Sequence, residues 1–137
     1  MERYLLLIMF GFCAVAGVAH ADSAGASTKL YIVSPSDGAV VSSPLTIRFG
    51  LKGMGVAPAG IDAPKTGHHH LVIDAPLPAL DETIPKDEHY RHFGGGQTET
   101  MIELAPGSHT LQLVLGDHAH VPHNPPLVSE QVSVTVK

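Results

Sequence analysis

Apolar and polar residues alternate with a period of two over several short runs. Leu45-Thr46-Ile47-Arg48-Phe49-Gly50-Leu51 is the clearest early case, and Ser108 to Leu115 places Leu111, Leu113 and Leu115 on one face. Val128, Val132, Val134 and Val136 share a face of the last segment, Leu127 to Val136. Period two predicts half-buried strands. Further β-prone runs occupy Lys29 to Val33, Thr98 to Leu104 and, as a brief edge strand, Ala39 to Val41, and a weak one spans 78–84. Turn-forming clusters separate them, as at Ser34-Pro35-Ser36-Asp37-Gly38 and Ala105-Pro106-Gly107. No sustained helical period appears, and prolines interrupt every long segment. The pattern predicts an all-β fold, a single antiparallel immunoglobulin-like β-sandwich of about seven strands.

One strand breaks the apolar pattern. Gly67-His68-His69-His70-Leu71-Val72-Ile73-Asp74 runs three histidines straight into a β-branched segment. Side chains alternate along a strand, so His68 and His70 point one way and His69 the other. His69 shares its face with Leu71 and Ile73 and is expected to be a buried imidazole bonded to backbone. The other face carries a His-x-His pair whose rings project in parallel, an arrangement suited to chelation.

The chain ends place this domain in a compartment. Arg3 precedes an almost wholly apolar run from Tyr4 to Val18, and Ala19-His20-Ala21 is a small-x-small cleavage site. The run is too short for a membrane span, which needs about 20 residues. Residues 1–21 therefore read as a signal peptide, 22–28 as a polar linker and 29–137 as the domain. The cleaved protein is expected to be periplasmic or secreted, with no membrane span. Cleavage at Gly17-Val18-Ala19 is the alternative, and it would leave His20 as a copper-chelating amino terminus.

Composition narrows the chemistry. Cys13, the only cysteine, would leave with the signal peptide, so thiolate metal sites and disulfides are excluded from the mature chain. Only Met54 and Met101 remain beyond the leader, which disfavours a Met-rich Cu(I) site. A net charge of −5 gives no electrostatic footprint for nucleic acid or anionic lipid. Any metal is held by nitrogen and oxygen, which suits Cu(II) or Zn(II).

In an immunoglobulin-like sandwich the loops preceding and following these strands would gather His68, His69, His70, His89, His92, His118, His120 and His123 at one pole. His109 falls in the opposite turn, where related sandwiches use a tyrosine hydroxyl to bind backbone, and is read as structural. The expected ligands are His68 or His70, with His118 and His120, plus one of His89, His92 or His123. The carboxylates Asp74, Asp87, Glu88, Glu99 and Asp117 are candidates to ligate or to orient a ligating imidazole. Gly94-Gly95-Gly96-Gln97 matches no phosphate-binding loop, and no Ser-His-Asp nucleophile motif or zinc-protease helix is visible.

Three motifs, Thr66-Gly67-His68-His69-His70-Leu71-Val72-Ile73-Asp74, His92-Phe93-Gly94-Gly95-Gly96-Gln97-Thr98-Glu99 and Leu115-Gly116-Asp117-His118-Ala119-His120-Val121-Pro122-His123, resemble those of a family of exported bacterial proteins classed as a domain of unknown function. The resemblance runs from about Tyr31 to the C-terminus. It implies export and the domain limits, and it implies no catalytic residue. The whole is also similar, at the level of fold, to periplasmic copper-handling β-sandwiches. The function expected is a His-rich module that buffers or delivers Cu(II) or Zn(II). The alternative is a structural or partner-binding module of the cell envelope with a hydrogen-bonded His cluster. A metalloenzyme is the third and least favoured reading.

Overall fold

The computed structural model describes residues 27–137. The expected signal peptide and most of the linker lie outside the described residues. Nine strands follow in order: β1 (Lys29–Ser34), β2 (Ala39–Val41), β3 (Leu45–Lys52), β4 (Gly55–Val56), β5 (Thr66–Ile73), β6 (Tyr90–His92), β7 (Glu99–Ile102), β8 (Gly107–Gly116) and β9 (Val132–Val136). Among the described residues there is no helix, and so none long and apolar enough to cross a membrane.

The strands form two sheets. One has the order β1-β3-β7, the other the order β2-β9-β8-β5-β4, and β6 pairs with the rest of the free edge of β5. The alternation read from sequence decides which side chains face inward. Leu45, Ile47 and Phe49 of β3 meet Leu71 and Ile73 of β5, Leu111, Leu113 and Leu115 of β8, and Val132 and Val134 of β9 in one buried cluster. Full burial of each such side chain stabilises the fold by roughly 1.5–3 kcal/mol.

Four expectations are corrected. Among the described residues the strands number nine rather than about seven, and the larger sheet is not purely antiparallel, because β2 pairs parallel to β9 and β4 parallel to β5. No strand forms over 78–84. Prolines at 76, 78 and 85 remove ladder donors there, and β6 takes the edge of β5 instead. The last predicted strand is also interrupted. Val128 makes an isolated bridge to Val114, but the Ser129 hydroxyl then enters the ladder, accepting from Leu113 N at 2.8 Å and donating to Glu130 O at 2.8 Å.

The segment lacking a strand has another role. Ile84, with Val72 and Val114, forms a second apolar cluster that Ala75, Tyr90 and Val128 flank. Val72 and Val114 lie on the outer face of the large sheet, so that face is covered as well. Every residue of β5 from Gly67 to Ile73 is consequently buried.

The turn holding His109 behaves as its position predicted. Its Nε2–H donates to Ala105 O at 2.7 Å, and its Nδ1 lies 2.6 Å from Asp74 Oδ2. The Asp74 carboxylate, followed by the Ala105 carbonyl, raises the His109 pKa, against a smaller opposing effect of burial. This contribution is complete below the unfolded histidine value of about 6.5 and fades as pH rises through the higher folded value. His109→Ala is expected to lower stability by about 1–2 kcal/mol at pH 6. The gap to wild type should shrink at pH 9 in urea melts, and an equal gap at both would contradict the charged pair.

Candidate metal centre

The site grows from strand pairing. In β5, His68 and His70 point to the outer face of the large sheet, away from the core that receives Leu71 and Ile73. β6 pairs antiparallel to β5 with His92 directly opposite His70. Directly paired residues project to the same face, so His92 joins the pair. On the other side, His68 is opposite Gly116 of β8. Gly116 has no side chain there, and an added Cβ would stand 2.8 Å from His70 Nε2. A Cβ at Gly94 would overlap the His92 ring. These two glycines leave the space that the imidazoles fill.

The resulting group is tight. One ring nitrogen from each of His68, His70 and His92 lies within 4.8 Å of the others, a set able to hold a metal ion. His68 Nε2 and His70 Nε2 are 3.0 Å apart. His120, from the loop after β8, places its ring centroid 5.0 Å from that of His68, 4.8 Å from that of His92 and 6.1 Å from that of His70. His68 is 0% exposed and His70 1%.

Burial decides the protonation state. It is the largest cause lowering His68 to about 4 and His70 to about 3, with charge on the neighbouring histidines adding to it. His92 is lowered too, by burial first and then by His120 and Lys86. At neutral pH these rings are therefore uncharged, the form that ligates a metal. Nδ1 of His68, Nδ1 of His70 and Nε2 of His92 have no hydrogen-bond partner. An unpaired buried polar atom costs about 1–3 kcal/mol, so the cluster is a destabilised arrangement by itself.

The other candidates lie elsewhere. His89 stands at the far end of β5, with Nδ1 2.9 Å from Ile73 O and its other nitrogen 3.8 Å from Glu88. His118 faces outward, 3.6 Å from Asp62. His123 packs toward the face shared by Gly67 and His69, where its Nε2 would stand 2.8 Å from a Gly67 Cβ. His69 is buried beside Phe49, with ring centroids 5.1 Å apart, as its face predicted. Burial lowers its pKa and the Gln97 backbone opposes this, although neither ring nitrogen reaches a partner at full hydrogen-bond geometry.

Asp74 is turned to His109 and to Thr110 N, and Glu99 pairs with Arg48 on the small sheet. Asp117 acts on its own loop. Burial pushes its pKa up, but the Val121 and Ala119 amides, with His118 and His123 nearby, outweigh this and hold it low. The histidines thus gather on a sheet face rather than at a pole, because β6 docks along β5 and the loop after β8 folds over the outer surface. Ile84 and Gly116 were missed as parts of the site. The available signal for Ile84 was a lone aliphatic residue within an acidic, polar excursion.

These features define an all-β protein with a three-histidine group, two of its rings buried and the third half-buried, that could hold a metal. The family model described as Domain of unknown function (DUF4399) matches residues 47–137, and the chain belongs to that family. No curated protein and no solved structure matches it.

Two outcomes follow from the packing. Gly116→Ala is expected to displace the His70 ring, lowering stability by about 1–3 kcal/mol and weakening metal binding, as read by urea melts and by metal titration. In chelator-treated protein the depressed His68 and His70 values make the unfolded chain take up protons first. Stability should hold above about pH 6.5 and fall between there and about pH 3. A flat profile over that window in urea melts, once the opposite His109 contribution is removed by His109→Ala, would contradict burial of neutral rings.

Proposed function

We propose that this protein is an exported, periplasmic module that binds Cu(II) or Zn(II) through His68, His70 and His92 and serves in metal buffering or delivery. The convergence of three neutral imidazoles within 4.8 Å on a sheet face, His68 and His70 buried and His92 half-buried, carries the proposal. Imidazole is a ligand of high rank for both ions. A tetrahedral zinc site with metal–nitrogen distances of about 2.0–2.1 Å separates its ligand atoms by about 3.3 Å. The 3.0 Å between His68 and His70 Nε2 needs only a slight opening to reach that value. The apolar run from Tyr4 to Val18 and the Ala19-His20-Ala21 site support export. The two sheets around one core, with the strand alternation, support an immunoglobulin-like sandwich as the scaffold.

A second reading has one observation in its favour. The 3.0 Å contact between His68 and His70 is also a hydrogen bond, so the cluster can be a polar network that shapes an envelope-protein contact. The two readings separate in a thermal melt. A ligand at one hundred times its dissociation constant stabilises the native state by about 2.7 kcal/mol. The mature protein is expected to melt higher with Cu(II) or Zn(II), to return to its starting value with chelator, and to lose the response in the His68→Ala, His70→Ala double variant. No response to either ion, or one that survives the double substitution, would sink the metal reading.

A further inference from the structure

The three-histidine group occupies three corners of a larger figure. An imidazole bound at about 2.0–2.1 Å puts its ring centre about 3.2 Å from the metal, so four rings at tetrahedral corners stand about 5.2 Å apart. Here the six distances between the centroids of His68, His70, His92 and His120 run from 4.8 to 6.1 Å, and five of them lie between 4.8 and 5.1 Å. The longest, between His70 and His120, must contract, since His120 lies outside the group whose ring nitrogens all fall within 4.8 Å of one another.

The backbone is built to bring His120 there. Residues i and i+2 of a strand would point the same way, yet His118 faces Asp62 at the surface while His120 turns inward. His120 achieves this with a φ of 66°, rare for a residue other than glycine and costly by roughly 1–2 kcal/mol. The loop holds it in place. Asp117 Oδ1 accepts from Ala119 N at 2.8 Å and Val121 N at 2.9 Å, and His120 N donates to Asp117 O at 3.0 Å. His120 O in turn accepts from Ile84 N at 2.9 Å, tying the loop to the plug over the outer face. A strained backbone secured from both sides marks a position whose side chain is needed where it points.

We infer that His120 is the fourth ligand, which makes the centre a closed cage of four imidazoles, with residues 117–121 as the segment through which the ion enters and leaves. This rests on the metal reading proposed above. His68, His70 and His92 are fixed in β5 and β6, whereas His120 is carried by a loop, so exchange of the ion needs only that loop to move. Four protein ligands leave no open position for a metal-bound water. The cage therefore fits holding and handing over an ion better than hydrolysis at it.

The mature protein loaded with Cu(II) and, separately, with Co(II) tests this. The informative variant is His120→Asn, because asparagine tolerates the left-handed backbone and removes only the imidazole. His120→Gly serves as a second variant with the same backbone freedom, and near-ultraviolet circular dichroism checks that each is folded. Wild type is expected to show four imidazole nitrogens in the electron paramagnetic resonance of Cu(II) and the intense visible bands of tetrahedral Co(II). Both variants should still bind one ion, with three nitrogens and a water, and release it to a chelator at least about tenfold faster.

Three nitrogens in wild type, or an unchanged release rate in both variants, would overturn the inference. If His68→Ala abolishes binding while His120→Asn changes nothing, the three-histidine reading stands and the cage falls. If wild type binds neither ion, both fall together.

Discussion

The structure depends on one constraint, the burial of strand β5 on both of its faces. A central strand covered on one side can leave its other side chains in water, and polar residues there cost nothing. β5 is covered on both sides, by the core beneath Leu71 and Ile73 and by the Ile84 plug above Val72, yet it carries three histidines. Removing them from water forces the rings to be neutral and leaves ring nitrogens without partners. The surrounding fold either tolerates that penalty or offsets it with an ion.

The neighbours of β5 are arranged around this demand. Gly116 and Gly94 withdraw their side chains so that His70 and His92 fit. β6 is only three residues long, but its register sets His92 against His70 rather than one residue away, where it would face the core. Asp117 spends one carboxylate oxygen on loop amides, and its charge offsets only a part of the lowering of His68. Near the site, that carboxylate shapes the backbone that carries a histidine.

Two histidine environments, one outside the cluster and one within it, show how differently the same side chain is used. His109 meets a carboxylate and a carbonyl and is held toward its charged form. His68 and His70 meet one another and apolar surface and are held neutral. The first is a hydrogen-bonded clamp between the ends of β5 and β8. The second is a set of neutral rings with little but one another to engage, three of which could hold a metal ion.

The sequence alone determined the all-β class, the inward faces of β3, β8 and β9, the division of the histidine triplet between two faces, and the structural place of His109. All of these follow from local alternation and turn chemistry, which the chain encodes within a few residues. The choice among the remaining histidines was not legible in it. Whether His89 or His92 joins His70 depends on which of them pairs with β5, and whether His118 or His120 turns inward depends on one left-handed residue stabilised by Asp117 and Ile84. The absence of a strand at 78–84 and the covered outer face depend on the same long-range contacts. Only the tertiary structure could decide these points, because each rests on registers and hydrogen bonds between segments distant along the chain, and a shift of one residue reverses which side chain reaches the site.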